Sequence, residues 1–138
     1  MATFDDVRAI ALDLPETEER DGGWHMGPSW RVVGGAMFAW SRPVTGKDLA
    51  WMREQGRDPG DPVLGIRVAG EEGTRELLEA FPVEAFTIPH FDGYPAVLLR
   101  LPLVAPDLLR EFVIDSWLLK ARKRTARAWL AEQGLAEG

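Results

Sequence analysis

Two short apolar runs, Ser29–Val33 and Ala36–Ser41, flank the pair Gly34-Gly35. So short a connection can join only antiparallel strands, because a parallel pair needs a crossover of about a dozen residues. Glycine also reaches the positive φ angles that tight hairpin turns require. The spacing therefore predicts a hairpin, and with it an antiparallel sheet. In strict alternation Met37 and Ala39 share one face of the second strand, and Phe38 and Trp40 the other. Both faces are apolar, so one packs on helices and the other is covered or used.

Helical periodicity surrounds the hairpin. Residues 3–14 place Val7, Ile10, Ala11 and Leu14 on one face. Thr3 suits the N-cap, Asp5 and Asp6 suit the first turn, and Pro15 ends the helix. Residues 15–23 are acidic, close on Gly22-Gly23, and read as a loop. Residues 42–62 are broken by Pro43, Gly46, Gly56, Pro59, Gly60 and Pro62, with room for a short helix over 47–55. Trp51 in this stretch is expected to be exposed. Strand character returns over 63–68, and a helix over 71–81 turns Leu77, Leu78 and Phe81 inward. Asp92-Gly93 reads as a second hairpin-type turn, with Gly93 at positive φ and Pro89 and Pro95 holding it at a sheet edge. Pro106 opens a final helical stretch with no proline or glycine over 107–133, which fits one long helix or two abutting ones. These elements give one domain of the α+β class, an antiparallel sheet of about five strands with helices mainly on one face. The expected core is Val7, Ile10, Leu14, Leu78, Phe81, Leu98, Phe112, Val113 and Trp117.

Composition excludes several activities. The 138 residues include no cysteine and only two histidines, His25 and His90, so thiolate chemistry and a three-histidine metal site are out of reach. No Walker loop, dinucleotide fingerprint, zinc-protease motif or nucleophile elbow occurs. No cofactor or metal is expected, and the chain reads as a non-enzyme. No apolar run approaches the roughly 18 residues of a membrane span, and the acidic N-terminus is unlike a signal peptide, so the expected location is the cytoplasm. The net charge is −6. Residues 1–30 carry −5 of it, whereas 106–138 carry +1. Lys120, Arg122, Lys123, Arg124 and Arg127 crowd into that last segment.

The block Thr87-Ile-Pro-His-Phe-Asp-Gly-Tyr-Pro-Ala-Val-Leu-Leu-Arg-Leu101 resembles the signature hairpin of the MmcQ/YjbR family. The opening Asp5–Leu12 helix, the Ala36–Trp40 strand and the stretch from Lys123-Arg124 to Ala128-Trp129 are similar to the family's pattern as well. The resemblance covers nearly the whole chain. It implies an α-β-β-β-α-β-β-α order and a DNA-binding role, the latter by likeness to double-wing DNA-binding domains. The chain departs from the pattern twice. Arg122 stands where the family has a proline, which predicts a straighter last helix. Ala85-Phe86 precede Thr87 where the family has two aromatic residues.

Three features are candidates for function. Thr87, His90, Asp92 and Tyr94 form the densest polar cluster, either a small ligand pocket with His90 oriented by a carboxylate or simply the residues of a turn. Lys120, Arg124 and Arg127 share one helix face at i, i+4 and i+7, with Arg122 and Lys123 beside them. That stripe is either a phosphate-contact surface for weak, salt-dependent DNA binding or a solvated face favoured by a helix C-terminus. The six tryptophans either stack on a flat ligand or fill the core, and His25 between Trp24 and Met26 reads as loop packing. Against DNA stands the acidic total. The alternative is a small-ligand or protein-interaction domain with an aromatic-walled groove near His90 and Tyr94.

Overall fold

The computed structural model describes residues 2–22 and 26–134. Trp24 and His25 lie outside the described residues. The elements are α1 (Phe4–Asp13), β1 (Thr17–Asp21), β2 (Pro28–Val32), β3 (Met37–Ser41), α2 (Gly46–Glu54), β4 (Val63–Arg67), α3 (Gly70–Ala80), β5 (Ala85–Phe86), β6 (Ala96–Arg100), α4 (Pro106–Lys120) and α5 (Lys123–Glu132). A 3₁₀ turn over Pro89–Phe91 lies between β5 and β6. All strands join one antiparallel sheet in the order β1-β2-β3-β4-β6-β5.

The sheet has one strand more than the sequence predicts. β1 (Thr-Glu-Glu-Arg-Asp) falls in the acidic stretch read as a loop. It has no apolar alternation because it is an edge strand, paired only with β2, and charged side chains on an edge discourage pairing with other chains. Its start is anchored by the Thr17 hydroxyl, which donates to Ala11 O at 2.7 Å and Leu14 O at 2.9 Å. The hairpin between β2 and β3 forms as expected, although its connection spans Val33–Ala36 rather than the two glycines alone. Gly34 has φ +71°, and Gly35 N–H donates to Val32 O at 2.8 Å.

One face of the sheet carries α1, α3, α4 and α5. Val7, Ala11, Leu14, Trp30, Leu64, Ile66, Val97, Leu99, Phe112, Val113 and Trp117 form its core. Of the expected core residues, Ile10, Leu78 and Phe81 are only half-buried, because they lie toward the rims of their helices. Trp117 and Trp129 meet edge to face at 5.4 Å, both buried. The opposite face holds a second cluster of Trp40, Val44, Met52, Val63, Phe86, Ile88, Phe91, Ala96 and Leu98, partly covered by α2. Trp51 is half-buried against this cluster rather than exposed.

Strict alternation fails in β3. Trp30 pairs with Ala39 and Arg31 with Met37, so Phe38 is the extra residue of a β-bulge. Phe38 and Ala39 consequently both join the first core, while Met37 and Trp40 go to the second. The final helical stretch breaks. Ala121 and Arg122 take extended conformations, with ψ of 149° and 140°. The straighter helix predicted from the missing proline does not form, because Arg122 turns aside and donates from Nη2 to Val33 O at 2.9 Å.

Candidate functional site

The second face of the sheet carries a pocket of about 420 Å³ lined by Met26, Met37, Trp40, Arg42, His90, Phe91 and Tyr94. Its floor depends on a close approach of backbone and ring. Trp40 pairs with Gly65 across β3 and β4, and only the absence of a side chain at Gly65 lets the indole lie flat there. Arg67, two residues on and on the same face, stacks its guanidinium on both Trp40 (5.4 Å to the ring centroid) and Tyr94 (4.7 Å). Its Nε donates to Met37 O at 3.2 Å. Among the described residues no carboxylate pairs with Arg67. Arg42 lies over the Phe91 ring at 5.7 Å, and Phe91 meets Tyr94 edge to face at 5.6 Å.

The turn before β6 supplies the remaining wall. Pro89 starts the 3₁₀ turn, and Phe91 inserts into the second core. Gly93 has φ +76°, as expected for a turn residue. Space around it is open, so the glycine serves backbone conformation alone and not clearance. The turn is not a tight hairpin, since nine residues separate β5 from β6. His90 is brought near a carboxylate, but its neighbour is Asp48 of α2, with Nδ1 at 3.7 Å from Oδ2, rather than Asp92. Asp48 also lies 3.8 Å from Arg42 Nη2. Of the four residues expected here, His90 and Tyr94 line the pocket. Thr87 and Asp92 do not.

Sequence reading missed Met26, Met37, Trp40 and Arg42 as pocket residues, and Arg67, whose guanidinium lies over two of the lining rings. One signal pointed to Arg67. A glycine inside the strand run Val-Leu-Gly-Ile-Arg marks a close approach, and the arginine two residues later must share its face.

The basic segment is rearranged by the break between α4 and α5. Lys120 ends α4, Arg122 lies in the break, and Lys123, Arg124 and Arg127 belong to α5. The stripe running through Lys120 at helical spacing therefore does not exist as one face. Its electrostatic rationale also reverses, since Lys123 and Arg124 occupy the first turn of α5, where the helix dipole disfavours cations. Glu16 reaches this segment from the start of the sheet. It accepts a short hydrogen bond from Thr125 Oγ1 and lies 3.7 Å from Arg122 Nη1. Glu16 adopts φ +56°, an uncommon conformation for a residue with a side chain, and its carbonyl accepts from Val33 N–H at 2.8 Å. Lys123, Arg124 and Arg127 stay exposed, with no ion pair among the described residues.

Comparison with known proteins agrees with this architecture. The YjbR family model matches residues 12–119. The chain belongs to the YjbR family. An uncharacterised protein of Mycobacterium tuberculosis, Rv2570, is 40% identical over 136 residues, a span of 97% of this chain and all of that protein. The uncharacterised Mb2600 of Mycobacterium bovis matches at the same identity and coverage. Among solved structures, the Deinococcus radiodurans protein DR2400, a DUF419-domain protein, superposes with a TM-score of 0.64 at 25% identity. The match covers 98% of this chain and 90% of that one. Among the described residues of this YjbR-family chain, no helix is long and apolar enough to cross a membrane.

Proposed function

We propose that this YjbR-family protein is a non-catalytic binding module whose pocket at Trp40 and Tyr94, with Arg67 held over both rings at its edge, takes a small ligand with a flat body and an anionic group. The observation that carries this reading is Arg67, a half-buried cation held on two aromatic faces with no carboxylate partner among the described residues. Such stacking fixes the guanidinium plane in advance and leaves its terminal nitrogens for an incoming carboxylate or phosphate. Met37, Trp40 and Phe91 offer the flat body an apolar bed, and Arg42 adds a second cation. The volume is within the usual range for small-molecule sites. No serine or cysteine stands beside His90 in the pocket lining, so the cluster supports binding and not nucleophilic chemistry. Titration calorimetry with a panel of aromatic carboxylates and nucleoside monophosphates tests the reading. Binding that weakens about tenfold or more in Arg67→Met and Tyr94→Ala is expected from loss of a charge-assisted contact. A panel that fails to bind at millimolar concentration, or binds both variants equally well, overturns it.

DNA binding is the second reading, favoured by the exposed Lys123, Arg124 and Arg127 gathered on the first two turns of α5. Cations placed against the helix dipole are set for an anion brought from outside. The net charge of −6 and the tie from Glu16 to Arg122 oppose it. This reading expects duplex affinity, measured by anisotropy at about 50 mM salt, that falls steeply with added salt and is lost on replacing the three cations by alanine. No binding at that salt concentration defeats it.

A further inference from the structure

The other face of the molecule carries a second cavity that neither reading uses. Helix α3 is amphipathic, yet none of its residues is fully buried. Its apolar side leans on the sheet and leaves an open groove of about 360 Å³ between itself and α4. Ile66 and Val68 of the β4 end form the floor, Leu77 and Phe81 one wall, Phe112 and Leu119 the other. Phe81 and Phe112 meet edge to face at 5.1 Å, which fixes the deep end of the groove.

Three charged residues line this groove. Of the charged residues lining it, Glu76 and Asp115 are acidic. Arg67 contributes no cation to it, since its guanidinium lies on the opposite face of the sheet over Trp40 and Tyr94. The buried Ser116 hydroxyl is already engaged, donating to Arg67 O at 2.8 Å. The exposed Asp115 has no ion-pair partner among the described residues, and desolvation by its neighbours together with the charge of Glu111, one turn earlier on α4, raises its carboxyl pKa from the ordinary value. A cation arriving there gains attraction from both carboxylates and relieves the repulsion between Asp115 and Glu111. An anion meets repulsion from all three.

We infer that the α3–α4 groove is a binding site for a small amphipathic amine, whose apolar body lies between Phe81, Phe112 and Leu119 and whose ammonium group pairs with Asp115 and Glu76. An apolar bed with one charged anchor at its rim is the arrangement that discriminates by charge among ligands of the same shape.

The test uses two probes with the same ring system and opposite charge, tryptamine and indole-3-propionate, titrated into the full-length isotope-labelled protein. Tryptamine is expected to give saturable amide shifts at Leu77, Phe81, Phe112 and Ser116, and indole-3-propionate none there. Asp115→Asn is expected to weaken tryptamine about tenfold, and Glu76→Gln to weaken it too, by loss of a charge-assisted contact. Both are conservative changes on helix surfaces, and either alone suffices for the comparison. Tyr94→Ala, on the opposite face, should leave the titration unchanged, which separates this site from the arginine–aromatic pocket. Three results would overturn the inference: no saturable shift up to about 5 mM tryptamine, equal response to both probes, or unaltered affinity in both carboxylate variants.

Discussion

Replacing Gly65 with alanine would place a methyl group 2.5 Å from Trp40 Cε2, 2.6 Å from Nε1 and 2.9 Å from Cζ2. Nonbonded carbon contacts settle near 3.5–4.0 Å, so the indole must withdraw by about 1 Å. It has little room to do so. Trp40 is a buried member of the second core, and Arg67 is stacked on its ring at 5.4 Å. Two effects of opposite sign then compete. Alanine restricts the unfolded chain more than glycine does, a gain of about 0.4–1 kcal/mol. Forcing an extra carbon into a packed core costs about 1–3 kcal/mol. Overpacking wins, because the contact is with a rigid ring and not with the end of a flexible side chain. The expected net loss is about 1–2 kcal/mol, read as a lower midpoint in equilibrium urea unfolding.

The cause is separable from a general intolerance of β4 to substitution. In a Trp40→Leu background the ring is gone, and Gly65→Ala should be neutral or stabilising. The double-mutant cycle should therefore return a coupling of about 1 kcal/mol or more. A Gly65→Ala protein as stable as the parent, or one whose deficit persists without the indole, would refute the claim that Gly65 exists to seat Trp40.

Gly93→Ala should cost about 1 kcal/mol in the same unfolding assay, because its φ of +76° disfavours a side chain although the surrounding space is open. Leu98→Ala should cost about 2–5 kcal/mol, since Leu98 is fully buried under the second core. Glu19 is held below the usual carboxylate range first by its hydrogen bond from Arg8 and further by the one from Trp30 Nε1. Its contribution is thus present above the unfolded pKa and lost as pH falls through the lower folded value. Thermal melts should show Glu19→Gln less stable than the parent at pH 7, with the gap closing in acid; a gap that widens in acid would contradict the assignment.

How far the sequence discloses this molecule depends on whether a feature is local. The β2–β3 hairpin, the N-capped α1 and the turn glycine at position 93 each rest on a few neighbouring residues, and each was legible. β1 was not, because an edge strand needs no apolar side chains and Thr17–Asp21 offers none. The break before α5 was hidden for a different reason. No proline or glycine marks it, and what holds it is a bond from Arg122 to Val33, far away in sequence. The pocket was half legible. His90 and Tyr94 belong to one distinctive block, whereas Trp40 and Arg42 come from the end of β3 and Arg67 from β4, and no spacing in the sequence relates these strands to that block. The α+β class, the antiparallel sheet and the family survive these omissions because burial pattern and turn chemistry agree along most of the chain.

The end of β4 links the two cavities. Ile66 faces the first core, Arg67 projects to the opposite face, and Val68 returns to the floor of the α3–α4 groove, so one alternating tripeptide contributes to both sites. Ser116 of α4 pins this tripeptide through its hydroxyl to Arg67 O, and Val68 N–H is held by Pro95 O at 3.0 Å, just ahead of β6. Ser116→Ala removes the first tie and leaves the second. Loss of one largely buried hydrogen bond costs about 1 kcal/mol, which is too little to unfold a domain of this size but enough to free a strand end locally. Hydrogen exchange at the Val68 amide should therefore accelerate by about fivefold in Ser116→Ala, while amides in the middle of β6, such as Leu98, change less. Both cavities should lose affinity for their ligands together, although Ser116 lines only one of them. Equal acceleration at Val68 and Leu98 would mean that the variant lowers global stability alone and that the strand end is not a shared support.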